Sequence, residues 1–253
     1  MFLRAVVCAA LLLSQSATAP TVRTWVGHTA DIEAHLKRAS VERIEEIGTG
    51  VTRPRRAYLS PREPVASATW KVLPPGRRSG YWESYKSEIA AYELDKVLGL
   101  DMVPPAVERE INGETGAAIM WIEGTRSVKQ TGGKMPAGAE WAKASRKLMM
   151  FDNLIGNPDR NAGNILLGVP GEFILIDHSR AFVADKKLRH KFERVDAALW
   201  DRIRSLTPED VKRALGTWLD DRAIDAMIER RNLMAAAVDK LVAQKGAEAV
   251  IIP

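Results

Sequence analysis

The spacing of apolar residues divides the chain into a front half of short alternating runs and a back half of helix-like runs. Over residues 31–47 the apolar positions Ile32, Leu36, Ile44 and Ile47 predict an amphipathic helix, or a helix followed by a strand. VASATWKVLPPG alternates as a strand that ends at Pro74-Pro75. YKSEIAAYELDKVL, residues 85–98, predicts a helix with Ile89, Tyr92 or Glu93, and Val97 on its apolar face and Gly99 as its stop. MVPPAVEREINGETGAAIMWIEG predicts two strands around a turn at Asn112-Gly113. The second strand, 117–122, leads to a hinge near Glu123-Gly124. Residues 125–139, rich in Gly, Lys, Thr and Pro, predict a loop.

A helix over 140–154 follows, then strand ILLGV, a turn at Pro170-Gly171 and strand FILID. Past Phe182 the pattern is helical. Thr207-Pro208-Glu209-Asp210 is a helix start, with a cap, a proline at the first position and acids in the first turn. Asp220 or Asp221 starts another helix, and 231–245 predicts a last one. Trp200 and Trp218 are expected in the core of this part. The order of elements predicts an α+β fold.

The first residues, MFLRAVVCAALLLSQSATAP, have the form of a secretory signal. Arg4 gives a positive start, and 5–13 is an apolar run too short to span a bilayer as a helix. Ala17-Thr18-Ala19 fits a cleavage site, although Pro20 after it is unfavourable, and Ser14-Gln15-Ser16 is an alternative. Export to the periplasm or medium is therefore expected if the leader is cleaved, with a cytoplasmic protein otherwise and no transmembrane helix. The only cysteine, Cys8, lies inside that leader. A mature chain without it excludes disulfides, a thiolate nucleophile and Cys-ligated zinc. The net charge of +5 suits an anionic ligand such as a nucleotide, a phospholipid head group or an acidic peptide. No nucleic-acid motif and no internal repeat is present.

The chemistry concentrates in LMMFDNLIGNPDRNAGNILLGVPGEFILIDHSRAF, residues 148–182. Asp159 falls on a polar loop, Asn164 at the start of a strand and Asp177 at the end of the paired strand, positions that a hairpin brings together. An Asp followed five residues later by Asn, then by an Asp after a hairpin, suits phosphoryl transfer. Asp159 would orient the attacking hydroxyl, while Asn164 and Asp177 would hold Mg²⁺ (or Mn²⁺) on the phosphates of ATP. Upstream, Lys71 in a strand and Glu88 early in the next helix match a lysine held by a glutamate against the α- and β-phosphates. Gly48 and Gly50 would let backbone amides approach phosphate oxygens, although Arg53 stands where a G-x-G-x-x-G loop needs its third glycine. Glu123, at the hinge, joins the nucleotide-binding set. Arg160 would either neutralise developing charge or pair near Asp159. His178 and His190 lack ligand-spaced partners and are expected to be packed or solvated.

Two long motifs carry a family resemblance. SEIAAYELDKVLGLDMVPP resembles the αC-helix segment of type II phosphatidylinositol 4-kinases, of the phosphatidylinositol 3-/4-kinase-like group, and of the secretory-pathway (Golgi casein) kinases. FDNLIGNPDRNAGNILL resembles their catalytic loop, where L-x-G-N-x-D-R recurs, and FILIDHSRAF resembles their metal-binding strand. The resemblance covers about residues 45–183. It implies a two-lobed, protein-kinase-like fold with a small β-rich N-terminal lobe and a reduced helical C-terminal lobe. The division expected is a signal at 1–19, an N-terminal lobe at 20–124 and a C-terminal lobe at 125–253. It further implies transfer of the γ-phosphate of ATP to a hydroxyl of a lipid, protein or small-molecule acceptor.

The chain departs from the pattern in three places. His178-Ser179 replaces the usual Asn-Gly after the metal Asp, no A-P-E motif follows Asp177, and the disulfides of the Golgi-type kinases are impossible here. Two rival readings are a small-molecule phosphotransferase of the aminoglycoside or choline kinase type, and a non-catalytic, nucleotide-binding kinase-like module. The first has H-x-D-x-x-x-x-N, whereas Asn157 stands where its His falls.

Overall fold

The structure, a computed structural model, describes residues 21–48 and 53–253. The expected leader, Cys8 and Gly50 lie outside the described residues. The described chain opens with helix α1 (Thr29–Arg38), strands β1 (Ser40–Glu46), β2 (Arg55–Ser60) and β3 (Ser67–Lys71), and a small hairpin of β4 (Gly76–Arg78) and β5 (Tyr81–Glu83). Helix α2 (Tyr85–Leu98) and strands β6 (Ala106–Ile111) and β7 (Glu114–Met120) follow. Five strands form one antiparallel sheet in the order β1-β2-β3-β7-β6. The ambiguous run at 31–47 thus divides at Ala39 into a helix and a strand.

Both faces of this sheet are covered in the middle. On one side α1 buries Ile32 and Leu36, four residues apart, beside Leu59, Trp70 and Val107. On the other side α2 packs Ile89 and Leu94 with Ala117 and Ile119. A strand covered twice is buried along its whole length rather than at alternate residues, and β3 shows this, with both Trp70 and Lys71 inside. Gly116 of β7 lies so close to β3 that a Cβ there would strike the carbonyl of Lys71.

Helix α2 is built as its sequence suggests. Ser84 caps it by accepting a hydrogen bond from the Lys86 N–H, and Gly99 ends it in the left-handed region at φ 54°. One expectation fails. Val97 is exposed, because α2 buries Ile89, Tyr92, Leu94 and Leu98 between the sheet and the helices that follow.

The second half begins with strand β8 (Arg126–Ser127) and a 3₁₀ turn at Lys129–Thr131, short order within the stretch expected to be a loop. Helix α3 (Ala139–Ile155) leads to the hairpin of β9 (Ile165–Leu167) and β10 (Phe173–Leu175). Then come β11 (Val195–Asp196), α4 (Ala197–Ser205), α5 (Pro208–Leu215), α6 (Asp221–Lys245), α7 (Ala247–Val250) and β12 (Ile251–Ile252). Thr207 and Asp210 form the expected capping box on α5. The two helices expected after Asp220 are one, α6, of 25 residues. No Gly or Pro interrupts 221–245, so nothing in the sequence stops the helix at Arg231.

Helix α6 fixes the end of α3. Arg230, fully buried, donates from Nε to the Leu154 carbonyl at 3.0 Å and from Nη1 to the Val183 carbonyl at 2.8 Å. Burial pulls the Arg230 guanidinium down to about 10, still charged at neutral pH. Gly156, at φ 63°, ends α3 against that guanidinium, where a Cβ would collide with it. The α3 terminus, from which the loop carrying Asp159 departs, is therefore anchored from behind.

Candidate active site

Lys71 is the centre of the site. Its Nζ donates to Glu88 Oε1 of α2 and to Asp177 Oδ1, which follows β10, at 2.6 Å each. A strand lysine ordinarily lies on an exposed face, and here the doubly covered sheet puts the side chain inside, 5 % exposed. Burial, the largest single influence, lowers the Lys71 pKa, but Asp177 and Glu88 together outweigh it and leave it raised. Burial likewise pushes Glu88 upward, and the Lys71 ammonium with the His178 contact overcomes that and holds Glu88 well below the usual carboxylate range. The pair is charged at any physiological pH. An ammonium has three donors, so one remains on Lys71 beyond its two carboxylates.

The segment after Asp177 is stitched to α2 and to the hairpin ahead of it. The His178 N–H donates to Glu88 Oε2 at 2.8 Å, and the Ser84 N–H donates to the Ser179 carbonyl at 2.9 Å. Ser179 Oγ donates to Asp177 Oδ1 at 3.0 Å. Asp177 itself sits at φ 60°, in the left-handed region that a non-glycine residue holds only at an energetic cost. Burial lowers the His178 pKa from its ordinary value against the opposing pull of Glu88, and its Nε2 is buried without a partner. His178 packs edge-on to Phe151.

Asn164 ends a 3₁₀ turn at Ala162–Asn164 and lies across the β9–β10 hairpin from Ile176, the residue before Asp177. Its Nδ2 donates to the Asp159 carbonyl at 3.1 Å, which turns its amide oxygen away from that carbonyl. Of the two roles left open for Arg160, it takes the pairing near Asp159, made inside the protein and not with Asp159 itself. It is buried against Asp152 of α3, with Nε and Nη2 on the two carboxylate oxygens at 2.9 and 3.0 Å. Its Nη1 then holds the carbonyls of Asn164 and Ile176 at 2.9 and 2.8 Å. The guanidinium thus clamps the loop to the strand end, which sets Asn164 and Asp177 side by side. Asp159 is more open, with its side chain 37 % exposed, and Arg180 Nη1 donates to its Oδ2 at 3.1 Å.

Gly48 closes the described part of the β1–β2 connection at φ 70° with open space around its Cα. Glu123, at the surface after β7, is ion-paired with Arg56 of β2. Asp152, Glu83 and Arg180 were not singled out in the sequence. Asp152 had a signal: an acid inside the apolar run LMMFDNLIG must have a buried partner.

The donors suit a divalent cation. Among the described residues no group of three or more His, Cys, Asp or Glu is arranged to hold a metal. Asp177 and Asn164 offer two hard oxygen donors, and Mg²⁺ takes one or two protein ligands with phosphates and water completing its shell. Around the cleft the cations Lys71 and Arg180 face the four carboxylates of Glu83, Glu88, Asp159 and Asp177, a deficit that a dication offsets. No helix among the described residues is long and apolar enough to cross a membrane.

No protein-family model matches this chain, and no curated protein matches it in sequence. Its fold is similar to those of kinases. The structure of hydra Fam20 with sugar aligns at a TM-score of 0.71 and 17 % identity, over 88 % of this chain and 92 % of that one. The Golgi casein kinase with Mn/ADP bound gives 0.69 and 13 %, over 88 % and 78 %. The Helicobacter pylori proinflammatory kinase CtkA gives 0.53 and 11 %, over 85 % and 99 %. At these identities the likeness is one of fold. It shows the two-lobed, kinase-like architecture, which the Golgi-kinase half of the sequence resemblance shares. The phosphatidylinositol-kinase half rests on the sequence motifs alone.

Proposed function

We propose that this protein is an ATP-dependent phosphotransferase that moves a phosphoryl group to an acceptor hydroxyl. The observation that carries the reading is the buried fork at Lys71, which joins a strand, the helix α2 and the carboxylate of Asp177 in one ion-paired unit. A fully buried lysine between two carboxylates is a poor stabilising device, since ion-pair burial returns little net stability. Its chemistry suits phosphate, towards which its third donor is available. Asp177 and Asn164 would hold the divalent ion, whose charge would neutralise the phosphates during transfer. Asp159 orients the acceptor hydroxyl and takes its proton. Arg160 and Asp152 keep the loop in register. Gly48 would approach the phosphates, and the hinge at Glu123 would border the nucleotide.

The neighbours widen the choice of acceptor. One was solved with sugar and another is named a casein kinase, so sugar and protein hydroxyls both join lipid head groups as candidates. The test is turnover of Mg·ATP by the purified chain against phosphatidylinositol vesicles, dephosphorylated casein and a simple pyranose, alongside a nucleotide thermal shift. A thermal shift with transfer to one of the three supports the reading. Nucleotide binding without transfer to any of them, or to water, supports the non-catalytic module instead.

Export accords with this reading, because one neighbour is named for the Golgi and the first nineteen residues have signal form. Native material should begin near Pro20 by intact mass, and a chain retaining Met1 would sink the idea.

A further inference from the structure

Arg180 lies three residues after Asp177, on a turn closed by the Ala181 N–H donating to the His178 carbonyl at 2.9 Å. Its guanidinium makes three directed contacts. Nε and Nη2 both reach Glu83 Oε1, at 2.8 and 2.7 Å, and Nη1 reaches Asp159 Oδ2 at 3.1 Å. Its face lies over the ring of Tyr81, 4.2 Å from the centroid. Glu83 is buried at the end of β5, and the next residue, Ser84, is bonded through its backbone to Ser179. One side of the fork is therefore fixed in the protein, while the other ends on the carboxylate proposed to act on the acceptor.

Two features separate this arginine from the second one in the loop. Arg160 is spent wholly on Asp152 and backbone carbonyls inside the protein. Arg180 instead borders the cleft, with its side chain 14 % exposed, and it reaches Asp159 from a different part of the chain. Asp159 is otherwise held only through its backbone, whose N–H donates to Asn157 Oδ1 at 3.0 Å and whose carbonyl accepts from Asn164. Those bonds place the residue but leave the carboxylate free to rotate about its χ angles. Arg180 is the side-chain contact that restricts that rotation.

We infer that Arg180, anchored by Glu83, is a positioning residue that aims the Asp159 carboxylate at the acceptor hydroxyl, and so couples the β4–β5 hairpin to the transfer step. This rests on the phosphotransferase reading for its catalytic consequence, but not for the tether itself. A group that orients a general base acts only through that base, and misplacement by about 1 Å can cost on the order of 10²-fold in rate. Nucleotide binding is set elsewhere, at Lys71 and Asp177. Tyr81, 47 % exposed beside the guanidinium, belongs to the same unit, so an acceptor resting on the hairpin sits next to the fork.

The test uses Arg180→Lys, which keeps the charge but replaces a rigid fork with one ammonium, and Glu83→Gln, which weakens the anchor while leaving Arg180 in place. Both are made in the full chain, and their urea midpoints verify that they fold. Side-chain ¹³C relaxation at Asp159, recorded without nucleotide, should show a lower order parameter in both variants, with the side chains of α6 as in wild type. Transfer from Mg·ATP to dephosphorylated casein, to a simple pyranose and to water is measured in parallel. Arg180→Lys should lower kcat about 10²-fold, with KM for Mg·ATP within about 2-fold of wild type. Placed on an Asp159→Asn background, Arg180→Lys should lower kcat no further than about 2-fold, because the group it positions is already disabled. An Asp159 side-chain order parameter equal to wild type in both variants overturns the inference. So does a kcat loss that multiplies in full on the Asp159→Asn background, which marks a separate role. A wild type that binds Mg·ATP and transfers to none of these acceptors, nor to phosphatidylinositol vesicles, overturns the phosphotransferase reading instead, and the side-chain relaxation result then decides the tether by itself.

Discussion

Replacing Lys71 by Met removes the central cation at nearly constant volume. Glu88 is then a buried carboxylate, 3 % exposed in its side chain, left with the His178 N–H as its main donor. Removing one partner of a buried ion pair costs about 3–5 kcal/mol, since the other charge stays desolvated and unpaired. Asp177 is 32 % exposed and keeps Ser179, so solvent screens its share of the loss. The lower end, about 3 kcal/mol, is therefore expected, seen as a fall of about 1 M or more in the urea midpoint at pH 7.5.

The sign of the pH dependence distinguishes this cause from simple misfolding. In the wild type Glu88 is held below its ordinary value of 4.5, so its stabilisation is fully present above that pH and is lost only in strong acid. Without Lys71, burial outweighs the remaining His178 contact and raises the Glu88 pKa in the folded state. The folded mutant then binds a proton that the unfolded chain releases, and its stability falls as pH rises from about 5 towards 8. Adding Glu88→Gln, which keeps an acceptor for the His178 N–H without the charge, should restore about 2 kcal/mol. A single mutant within about 1 kcal/mol of wild type, or a double mutant no more stable than the single, refutes the reasoning.

Three further outcomes are expected. Asp159→Asn should cut transfer by about 10²–10⁴-fold, the scale of a positioned acid/base group, with Mg·ATP affinity by calorimetry nearly unchanged. Asp177→Ala should remove the Mg²⁺ dependence of nucleotide binding in a titration, and a variant with metal dependence intact would count against Asp177 as a ligand. Asp95 is buried at the end of α2, where it accepts from the Met102 and Val103 N–H groups, and burial outweighs those bonds and raises its pKa from 3.8 to about 7. A folded pKa raised in this way makes stability decline between about pH 4 and 7. Asp95→Asn should flatten that decline, which urea midpoints at pH 5 and pH 8 would show, and an unchanged slope would reject the assignment.

The local elements were largely legible. Ser84 and Gly99 bound α2, Thr207 to Asp210 box α5, and Asn112-Gly113 turns β6 into β7, because caps and turns are settled by a few neighbouring residues. Asp159, Asn164 and Asp177 were legible for the same reason, as a loop and one hairpin carry all three. Other features belong to the assembly. Lys71 is buried because α1 and α2 close over opposite faces of its sheet, and Val97 is exposed because α2 turns a different side to its neighbours. Arg160 pairs with Asp152 in the preceding helix, and Arg180 joins Glu83 to Asp159, residues 97 and 21 positions away from it. Sequence alone fixed which residue types were at hand for phosphoryl chemistry, since spacing within a loop or hairpin acts over short range. Only the tertiary structure decided which charges are buried together and which arginine reaches the Asp159 carboxylate, since a charge taken out of water must meet its partner wherever the packing of distant segments brings it.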